Sequence, residues 1–264
     1  MSEFLEKVIS SKNKRLELQR QKFPVKEMEK LLANAPPVRD IFSFLLKDAP
    51  GQIPVIAEIK RKSPSAGAIK LDLNPGELAR SYELAGARAV SVLCEEDFFA
   101  GSLEDLQEVK KACGVPVLCK DFIISSFQII QARISGADLT LLIVSALDSG
   151  KLKELYILSK ELMMTPLVEV HNQAELEIAL SLGARLIGIN NRNLKTLEVN
   201  LDTTKKLLPL IPKDRVVISE SGFKSRAELE EFQALGVSGF LIGGSILSSE
   251  NPEKKLRELV YGQG

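Results

Sequence analysis

The sequence predicts an α/β fold: a (β/α)8 TIM barrel with an N-terminal helical extension. Eight short apolar strand candidates alternate with amphipathic helical stretches, which is typical of a parallel sheet covered by helices. Glycines recur before the strands at a regular spacing, and polar residues stand at several strand ends. The length of 264 residues also fits the roughly 250 residues of such a barrel.

The strand candidates are near-continuous apolar runs. They cover residues 53–59, 89–93, 116–120, 139–144, 166–170, 186–190, 215–219 and 239–243. Between them, stretches such as GELARSYELA and RAELEEFQAL carry apolar residues at helical spacing.

A weak internal repeat favours closure of the barrel. Gly86, Gly136, Gly183 and Gly236 each stand between a predicted helix and the next strand, where a left-handed C-cap is needed. Their spacings of 50, 47 and 53 residues correspond to two βα units each, so four double units give eight strands. An open doubly wound sheet is the alternative, but the sequence lacks the GxGxxG turn usual for that fold.

Residues 1–47 differ from the rest of the chain. Helical spacing in FLEKVI, MEKLL and DIFSFLL is interrupted at Pro24 and at Pro36-Pro37. The segment has ten Lys and Arg against six Asp and Glu. We expect an amphipathic extension packed on a single barrel domain spanning residues 1–264, with a basic face that could also help cover an anionic ligand.

Composition excludes several classes of partner. Hydrophobic residues make up 45% and charged residues 27%, as in ordinary globular proteins, and Lys+Arg and Asp+Glu balance at 35 each. This balance argues against nucleic acid or an acidic membrane as a partner. The N-terminus lacks a signal-peptide pattern and the longest apolar run, LTLLIV, is too short to span a bilayer, so we expect a soluble cytoplasmic protein.

Cysteine and histidine usage narrows the chemistry. Cys94, Cys113 and Cys119 form no CxxC pair and are expected to be reduced core residues. His171 is the only histidine, which excludes a His dyad and a His-rich metal site. The sequence therefore predicts no metal.

Polar residues at successive strand ends predict an enzyme. These residues are Glu58, Lys120, Glu169, Asn190 and the pair Glu220-Ser221. Burying unpaired charge is costly, so packing alone does not explain them. In a closed parallel barrel they converge on the face where such folds keep their chemistry.

Lys120 and Glu169 are the candidate acid and base. Desolvation is expected to lower the pKa of a buried lysine towards neutrality, where it serves as a general acid. A glutamate in the same setting is expected to have a raised pKa, in the range of a general base. A purely structural salt bridge between the two is the alternative.

Two segments after the last strands predict a phosphate site. SESG at 219–222 and LIGGS at 241–245 place Gly222, Gly243 and Gly244 where backbone N–H groups can approach an anion closely. Barrels commonly bind phosphate in these two loops. Tight turns without a ligand are the alternative explanation for the glycines.

Two further loops carry candidate binding groups. In AEIKRKSPSAG, Glu58 and Lys60 share one side of the first strand, and the basic residues up to Ser63 suggest a mobile loop that contacts an anion. A solvated charged loop is the alternative for the basic run, but it does not explain why Glu58 and Lys60 share one side of the strand. In GINNRNL, Arg192 could bind a carboxylate in a bidentate fork, although turn residues alone would also explain this run.

Seven motifs occur in one order along nearly the whole chain: AEIKRKSPSAG, EDFFAGSLEDL, CKDFI, LVEVHN, GINNRNL, SESG and LIGGS. Together they resemble the indole-3-glycerol-phosphate synthase family of tryptophan biosynthesis. The resemblance implies a carboxy-lyase that closes the pyrrole ring of 1-(2-carboxyphenylamino)-1-deoxyribulose 5-phosphate, with loss of CO2 and water. It also implies that no cofactor is needed.

The resemblance assigns roles to particular residues. It implies catalytic roles for Glu58, Lys60, Lys120, Glu169, Asn190, Glu220 and Ser221, and substrate or phosphate contacts for Ser63, Arg192, Gly222, Gly243 and Gly244. It also places residues 1–47 over the barrel mouth. Cys94 and Gly244 depart from residues usual in the family, but neither change touches the chemistry.

Two other functions stay open at this point. An isomerase acting on a related aminated sugar would share the SESG and LIGGS features but does not need the AEIKRKSPSAG loop. A non-catalytic phosphosugar-binding or scaffold protein would not explain Lys120 and Glu169 at separate strand ends. The sequence leaves the oligomeric state open, with a monomer favoured.

Overall fold

The computed structural model describes residues 3–64 and 67–262; Ser65 and Ala66 of the AEIKRKSPSAG segment lie outside the described residues. Eight parallel strands form a closed barrel in which each strand pairs with its neighbours in sequence and the last pairs with the first. The strands are β1 Val55–Ile59, β2 Ala89–Leu93, β3 Val117–Lys120, β4 Leu139–Ile143, β5 Thr165–Val170, β6 Leu186–Asn190, β7 Val216–Glu220 and β8 Gly239–Ile242. The predicted (β/α)8 fold is confirmed, and predicted strand ends differ from these by at most two residues.

Helices cover the outside of the barrel and precede it. They are α1 Glu3–Lys22, α2 Val25–Ala33, α3 Ile41–Leu45, α4 Pro75–Leu84, α5 Leu103–Ala112, α6 Ser126–Ile134, α7 Ser149–Glu161, α8 Gln173–Ser181, α9 Asp202–Leu207, α10 Arg226–Leu235, α11 Gly244–Leu247 and α12 Pro252–Tyr261. Among the described helices none is long and apolar enough to cross a membrane.

The glycine repeat has the predicted backbone role. Gly86, Gly136, Gly183 and Gly236 all have positive φ, between 73° and 112°, immediately before the turn into a strand. One element was not predicted from the sequence, a short antiparallel hairpin of Lys62–Ser63 with Gly67–Ala68. This hairpin follows β1 and carries the loop that was expected to contact an anion.

The side chains of the strands alternate between two apolar layers. Val55, Ala57 and Ile59 of β1 point outward and pack against the helices, while Ile56 belongs to the cluster that fills the barrel interior. The same period of two holds in the other strands, as expected for a pleated sheet. Inward-pointing positions near the carboxyl ends of the strands therefore open onto one face of the barrel.

Helix α1 lies against the loops that follow β2 and β3. Its Leu5 and Val8 are buried within the interior cluster, and Phe4 packs edge-to-face on Phe98 with ring centroids 5.7 Å apart. Lys12, almost fully buried, contacts Asp121 next to the end of β3.

At the opposite end of the strands, Asp138 joins three parts of the chain. This fully buried carboxylate accepts hydrogen bonds from the backbone N–H of Arg39 at 2.7 Å, from Lys110 Nζ at 2.6 Å and from the backbone N–H of Val117 at 2.8 Å. Lys110 also donates to the carbonyl of Pro37 at 3.1 Å. The segment between α2 and α3 is thereby held against α5 and β3.

We expect Asp138→Asn to lower the free energy of unfolding by about 3 kcal/mol, because it leaves a buried ammonium group without its anion. Chemical denaturation followed by circular dichroism measures this loss. Asp148→Asn is the matched control, since Asp148 is an exposed N-cap at α7 and Asn caps equally well, so its loss should stay below about 1 kcal/mol. Equal losses in the two variants would contradict the role given to Asp138.

Candidate active site

All twelve residues predicted for the site line one cavity of about 880 Å³ at the carboxyl ends of the strands. They are Glu58, Lys60, Ser63, Lys120, Glu169, Asn190, Arg192, Glu220, Ser221, Gly222, Gly243 and Gly244. The structure thus brings together side chains and backbone from β1, β3, β5, β6, β7 and β8. Their individual roles stay predictions.

The strand pleat explains why these side chains meet. Ile56, Leu118, Leu167 and Ile218 fill the barrel interior, and two residues further along the same strands stand Glu58, Lys120, Glu169 and Glu220. Since side chains two apart in a strand share a face, each charged residue continues an inward-pointing apolar row. The charges therefore occupy the top layer of the barrel interior.

Lys120 is the centre of the charged layer. Its Nζ donates to Glu169 Oε2 at 3.0 Å and to Glu220 Oε2 at 2.7 Å. Asn190 Nδ2 donates to the other oxygen of Glu169 at 3.2 Å, and Lys60 Nζ lies 2.6 Å from Glu58 Oε1. One lysine thus links two carboxylates from different strands, with a second Lys–Glu pair close by.

The lowered pKa that the sequence predicted for Lys120 is wrong. Burial does act to lower the pKa of this lysine, but the negative charges of Glu169, Glu220 and Glu58 outweigh it and raise the pKa above its ordinary value. The raised pKa predicted for Glu169 is wrong for the converse reason. Burial acts to raise it, but Lys120 and His171 lower the pKa of Glu169 below its ordinary range.

Glu220 is the carboxylate with the raised pKa. Its burial, together with the charge of Glu169, raises the pKa to about 7, although Lys120 acts in the opposite direction. Its Oε1 has no hydrogen-bond partner within the part of the chain that the structure describes. Gly188 on β6 makes room for this carboxyl group, because a Cβ at that position would collide with Oε1.

The loops after β7 and β8 carry backbone groups suited to an anion. Ser221 and Gly222 both have positive φ, 67° and 102°, and strain at a non-glycine residue such as Ser221 is typical of functional sites. Gly244 has open space around its Cα, whereas a Cβ at Gly243 would collide with Glu58. Lys224, two residues after Gly222, also lines the cavity.

An aromatic wall forms a second part of the cavity. Phe4 from α1, Phe99 from the loop after β2 and Phe122 after β3 line it, together with Leu141 and Ile143 of β4. Phe4 and Phe122 are in edge-to-face contact, with ring centroids 6.3 Å apart. These residues were not predicted as site residues from the sequence, although the EDFF and CKDFI motifs contain two of them.

The basic residues that were predicted to contact an anion differ in their surroundings. Of the three after β1, only Lys60 lines the cavity; Arg61 is paired with Asp105 in the first turn of α5, and Lys62 is exposed. Arg192 lines the cavity while its Nη1 donates to the carbonyl of Leu197 at 2.8 Å.

Basic residues of the N-terminal extension are also paired. Lys12 Nζ lies 2.9 Å from Glu96 and 2.8 Å from Asp121, and Arg15 is paired with Asp97. These charges hold α1 on the barrel loops. Neither Lys12 nor Arg15 lines the cavity, to which the extension contributes Phe4.

Two polar residues behind the cavity were missed from the sequence. His171 Nε2 lies 3.2 Å from Glu169 Oε1, and the spacing Glu169-Val170-His171 could have indicated that they share a face. Asn191 is buried; its Nδ2 donates to the carbonyls of Glu220 and Ser221, at 3.0 and 3.1 Å. Asn191 thereby joins the ends of β6 and β7, a contact that no local pattern reveals.

Within residues 3–64 and 67–262, no cluster of three or more His, Cys, Asp or Glu side chains has the geometry of a metal site. The charged layer contains carboxylates, but ammonium groups occupy the positions between them. What the arrangement offers chemically is proton donors and acceptors in one cavity.

The raised pKa of Glu220 predicts a pH-dependent effect of Glu220→Gln on stability. Between its ordinary pKa of 4.5 in the unfolded chain and about 7 in the folded protein, the folded state binds a proton that the unfolded state has released. The contribution of Glu220 to stability therefore falls as pH rises through this window, and the substitution removes that fall. The Tm of Glu220→Gln relative to the parent should rise between about pH 5 and about pH 8.

Thermal unfolding at the two pH values and constant ionic strength measures this difference. Glu161→Gln, at an exposed position on α7, is the control for a general effect of removing one negative charge. A Tm difference for Glu220→Gln that is the same at both pH values, or that matches the control, would contradict the prediction.

Comparison with solved structures supports the fold. The thiamine phosphate pyrophosphorylase from Pyrococcus furiosus aligns with a TM-score of 0.59 and 14% identity, over 79% of this chain and 94% of its own. KGPDC from Streptococcus mutans aligns with a TM-score of 0.57 and 15% identity, over 79% and 96%. At these identities the likeness concerns the barrel alone.

Comparison with known sequences is more specific. A relative named indole-3-glycerol phosphate synthase, from Burkholderia vietnamiensis, is 41% identical over 262 residues, which cover 99% of this chain and 100% of the relative. The family model described as indole-3-glycerol phosphate synthase matches residues 5–259. The resemblance carried by the seven motifs is therefore confirmed, and the chain belongs to the indole-3-glycerol phosphate synthase family.

Proposed function

We propose that the cavity converts 1-(2-carboxyphenylamino)-1-deoxyribulose 5-phosphate to indole-3-glycerol phosphate, with Lys120 as general acid and Glu169 as general base. The observation that carries this proposal is the contact of Lys120 Nζ with both Glu169 and Glu220 inside the cavity. Such a cluster of buried, interacting ionisable groups is typical of acid–base catalysis.

Two parts of the cavity suit the two ends of the substrate. The loops at Ser221–Gly222 and Gly243–Gly244 offer backbone N–H groups for the phosphate, as barrels commonly do after their last two strands. The wall of Phe99 and Phe122 suits the benzene ring, and Arg192 can bind the carboxylate. In a ring of eight strands β3 and β7 face each other, so the substrate would span the mouth.

Holding both ends folds a flexible substrate so that the ring carbon that carries the carboxylate faces the ketone. Such positioning can supply roughly 7–11 kcal/mol of the barrier in well-oriented intramolecular reactions. Glu58 contacts Lys60, and Asn190 contacts Glu169. Through these contacts Glu58 and Asn190 would keep the reacting groups in place.

The first chemical step forms a carbon–carbon bond. Lys120 carries its proton at neutral pH, because its pKa is raised, and it donates this proton to the ketone oxygen as the ring carbon attacks. Loss of CO2 then breaks the bond between the ring carbon and the carboxylate, and its electron pair restores the aromatic ring.

The second step is dehydration. Glu169 is ionised, because its pKa is lowered, and it accepts a proton from the intermediate while a lysine protonates the leaving hydroxyl. Both groups thus enter in the protonation states that their roles need. Lys60, which lines the cavity beside Glu58, would share the acid role.

The oligomeric state and the cellular compartment of the enzyme are also proposed. Every group used above comes from one chain, so a monomer would be sufficient for activity. The three cysteines are free and buried, which supports a reducing compartment such as the cytoplasm.

We expect Lys120→Ala and Glu169→Gln each to lower kcat by about 10²-fold or more, the range for lost general acid–base help. Continuous fluorescence after addition of the substrate measures turnover, and the chain has no Trp that would mask the indole signal. Lys111→Ala, at an exposed position in the last turn of α5, is the control and should keep the parent kcat.

A kcat within a few-fold of the parent for either variant would remove that residue from its role. Folded parent protein that binds the substrate but yields no indole fluorescence would overturn the proposed reaction itself.

A further inference from the structure

We propose that His171 is a positioning residue: an imidazolium, anchored by Glu175, that fixes and keeps ionised the carboxylate of Glu169. The inference rests on the proposed role of Glu169 as the base. His171 does not itself line the cavity but stands behind Glu169, one residue beyond the end of β5.

Both ring nitrogens of His171 face a carboxylate. Nδ1 is hydrogen-bonded to Glu175 Oε2 at 3.0 Å. Nε2 lies 3.2 Å from Glu169 Oε1, an ion-pair distance without hydrogen-bond geometry, and only 12% of the side chain is exposed. A neutral imidazole has one donor and one acceptor nitrogen, whereas the imidazolium has two donors. A ring between two carboxylates therefore favours the charged form.

Glu175 is well placed to hold the ring. It stands in the first turn of α8, where its backbone N–H donates to the side chain of Asn172 at 3.0 Å. Its carboxylate accepts from the backbone N–H of His171 at 2.8 Å and from Asn172 Nδ2 at 2.6 Å. The helix start thus fixes Glu175, and Glu175 fixes the orientation of the imidazole.

The contact with His171 explains why the two carboxylates that share Lys120 differ in pKa. Glu169 has Lys120 on one oxygen and His171 with Asn190 on the other, whereas Glu220 has Lys120 alone among described partners. The second cation therefore favours ionisation of Glu169, so that Glu220 is the carboxylate of the two that binds a proton more readily. When Lys120 donates its proton to the substrate, His171 remains as the cation beside Glu169.

The electrostatics of His171 agree with this geometry. Burial acts to lower the pKa of the imidazole, but the contacts with Glu169 and Glu175 outweigh it and raise the pKa to about 10. These two carboxylates face the ring from β5 and α8, and Lys120 contacts the far oxygen of Glu169.

The first test is a direct titration of the imidazole by NMR, using untagged protein with labelled histidine. Because His171 is the only histidine, its ring signals need no assignment. We expect the ring to stay charged well above pH 7, and its pKa to fall by at least about one unit in Glu169→Gln and in Glu175→Gln. An ordinary pKa near 6.5 that neither substitution changes would overturn the proposal.

This titration does not depend on turnover. A parent protein without synthase activity would contradict the proposed function, while the titration would still decide whether His171 is held as an imidazolium between Glu169 and Glu175. The two proposals can therefore fail separately.

The second test compares two amides that replace different ring nitrogens. The amide of Gln reaches the position of Nε2 and can donate to Glu169, whereas the shorter Asn reaches only the position of Nδ1. We expect His171→Asn to lower kcat by about tenfold or more, with KM changed by less than about threefold, and His171→Gln to recover part of the loss.

The pH profile separates positioning from a merely structural role. Loss of the cation raises the pKa of Glu169, so the acidic limb of kcat should move to higher pH in His171→Asn. Parent-like kcat in both variants would overturn the proposal. The proposal would also be overturned if both variants lost kcat equally, in proportion to the folded protein lost in thermal unfolding, and the acidic limb of kcat did not move.

Discussion

The ammonium group of Lys120 is the interaction on which the arrangement of the site depends. It lies at the end of β3, inside a barrel, within 3.0 Å of Glu169 and 2.7 Å of Glu220. Burying either group in its ionised form without a cation would cost several kcal/mol in this low-dielectric interior. The three residues therefore form one unit, and the removal of any one changes the protonation of the others.

The surrounding backbone is shaped by this charged unit. Gly188 and Gly243 leave space where a Cβ would collide with the carboxyl groups of Glu220 and Glu58. Gly243 was predicted as a phosphate contact, and its packing against Glu58 gives a second reason for glycine at that position. A loop glycine next to a buried carboxylate thus serves the charged layer as well as any anion bound above it.

The sequence was sufficient for the fold and for the twelve predicted residues of the cavity, but not for its aromatic wall of Phe4, Phe99 and Phe122. A period of two in the strands placed Glu58, Lys120 and Glu169 on the inward face, and the barrel topology brought their ends together. Contacts between distant segments could not be read in this way. The pairing of Arg61 with Asp105, and of Lys12 with Asp121, depends on how α5 and α1 pack on the barrel.

The pKa shifts predicted for Lys120 and Glu169 were wrong because they too depend on contacts between distant segments. A buried lysine by itself has a lowered pKa, and a buried glutamate a raised one, so the sequence expectation was sound for isolated groups. Three carboxylates act on Lys120 and two cations act on Glu169, and at these distances their charges exceed the effect of burial. The proton that burial would have placed on Glu169 is instead favoured on Glu220, the carboxylate without a second cation. The division of labour between acid and base is therefore a property of the whole charged layer, including His171, rather than of any single strand end.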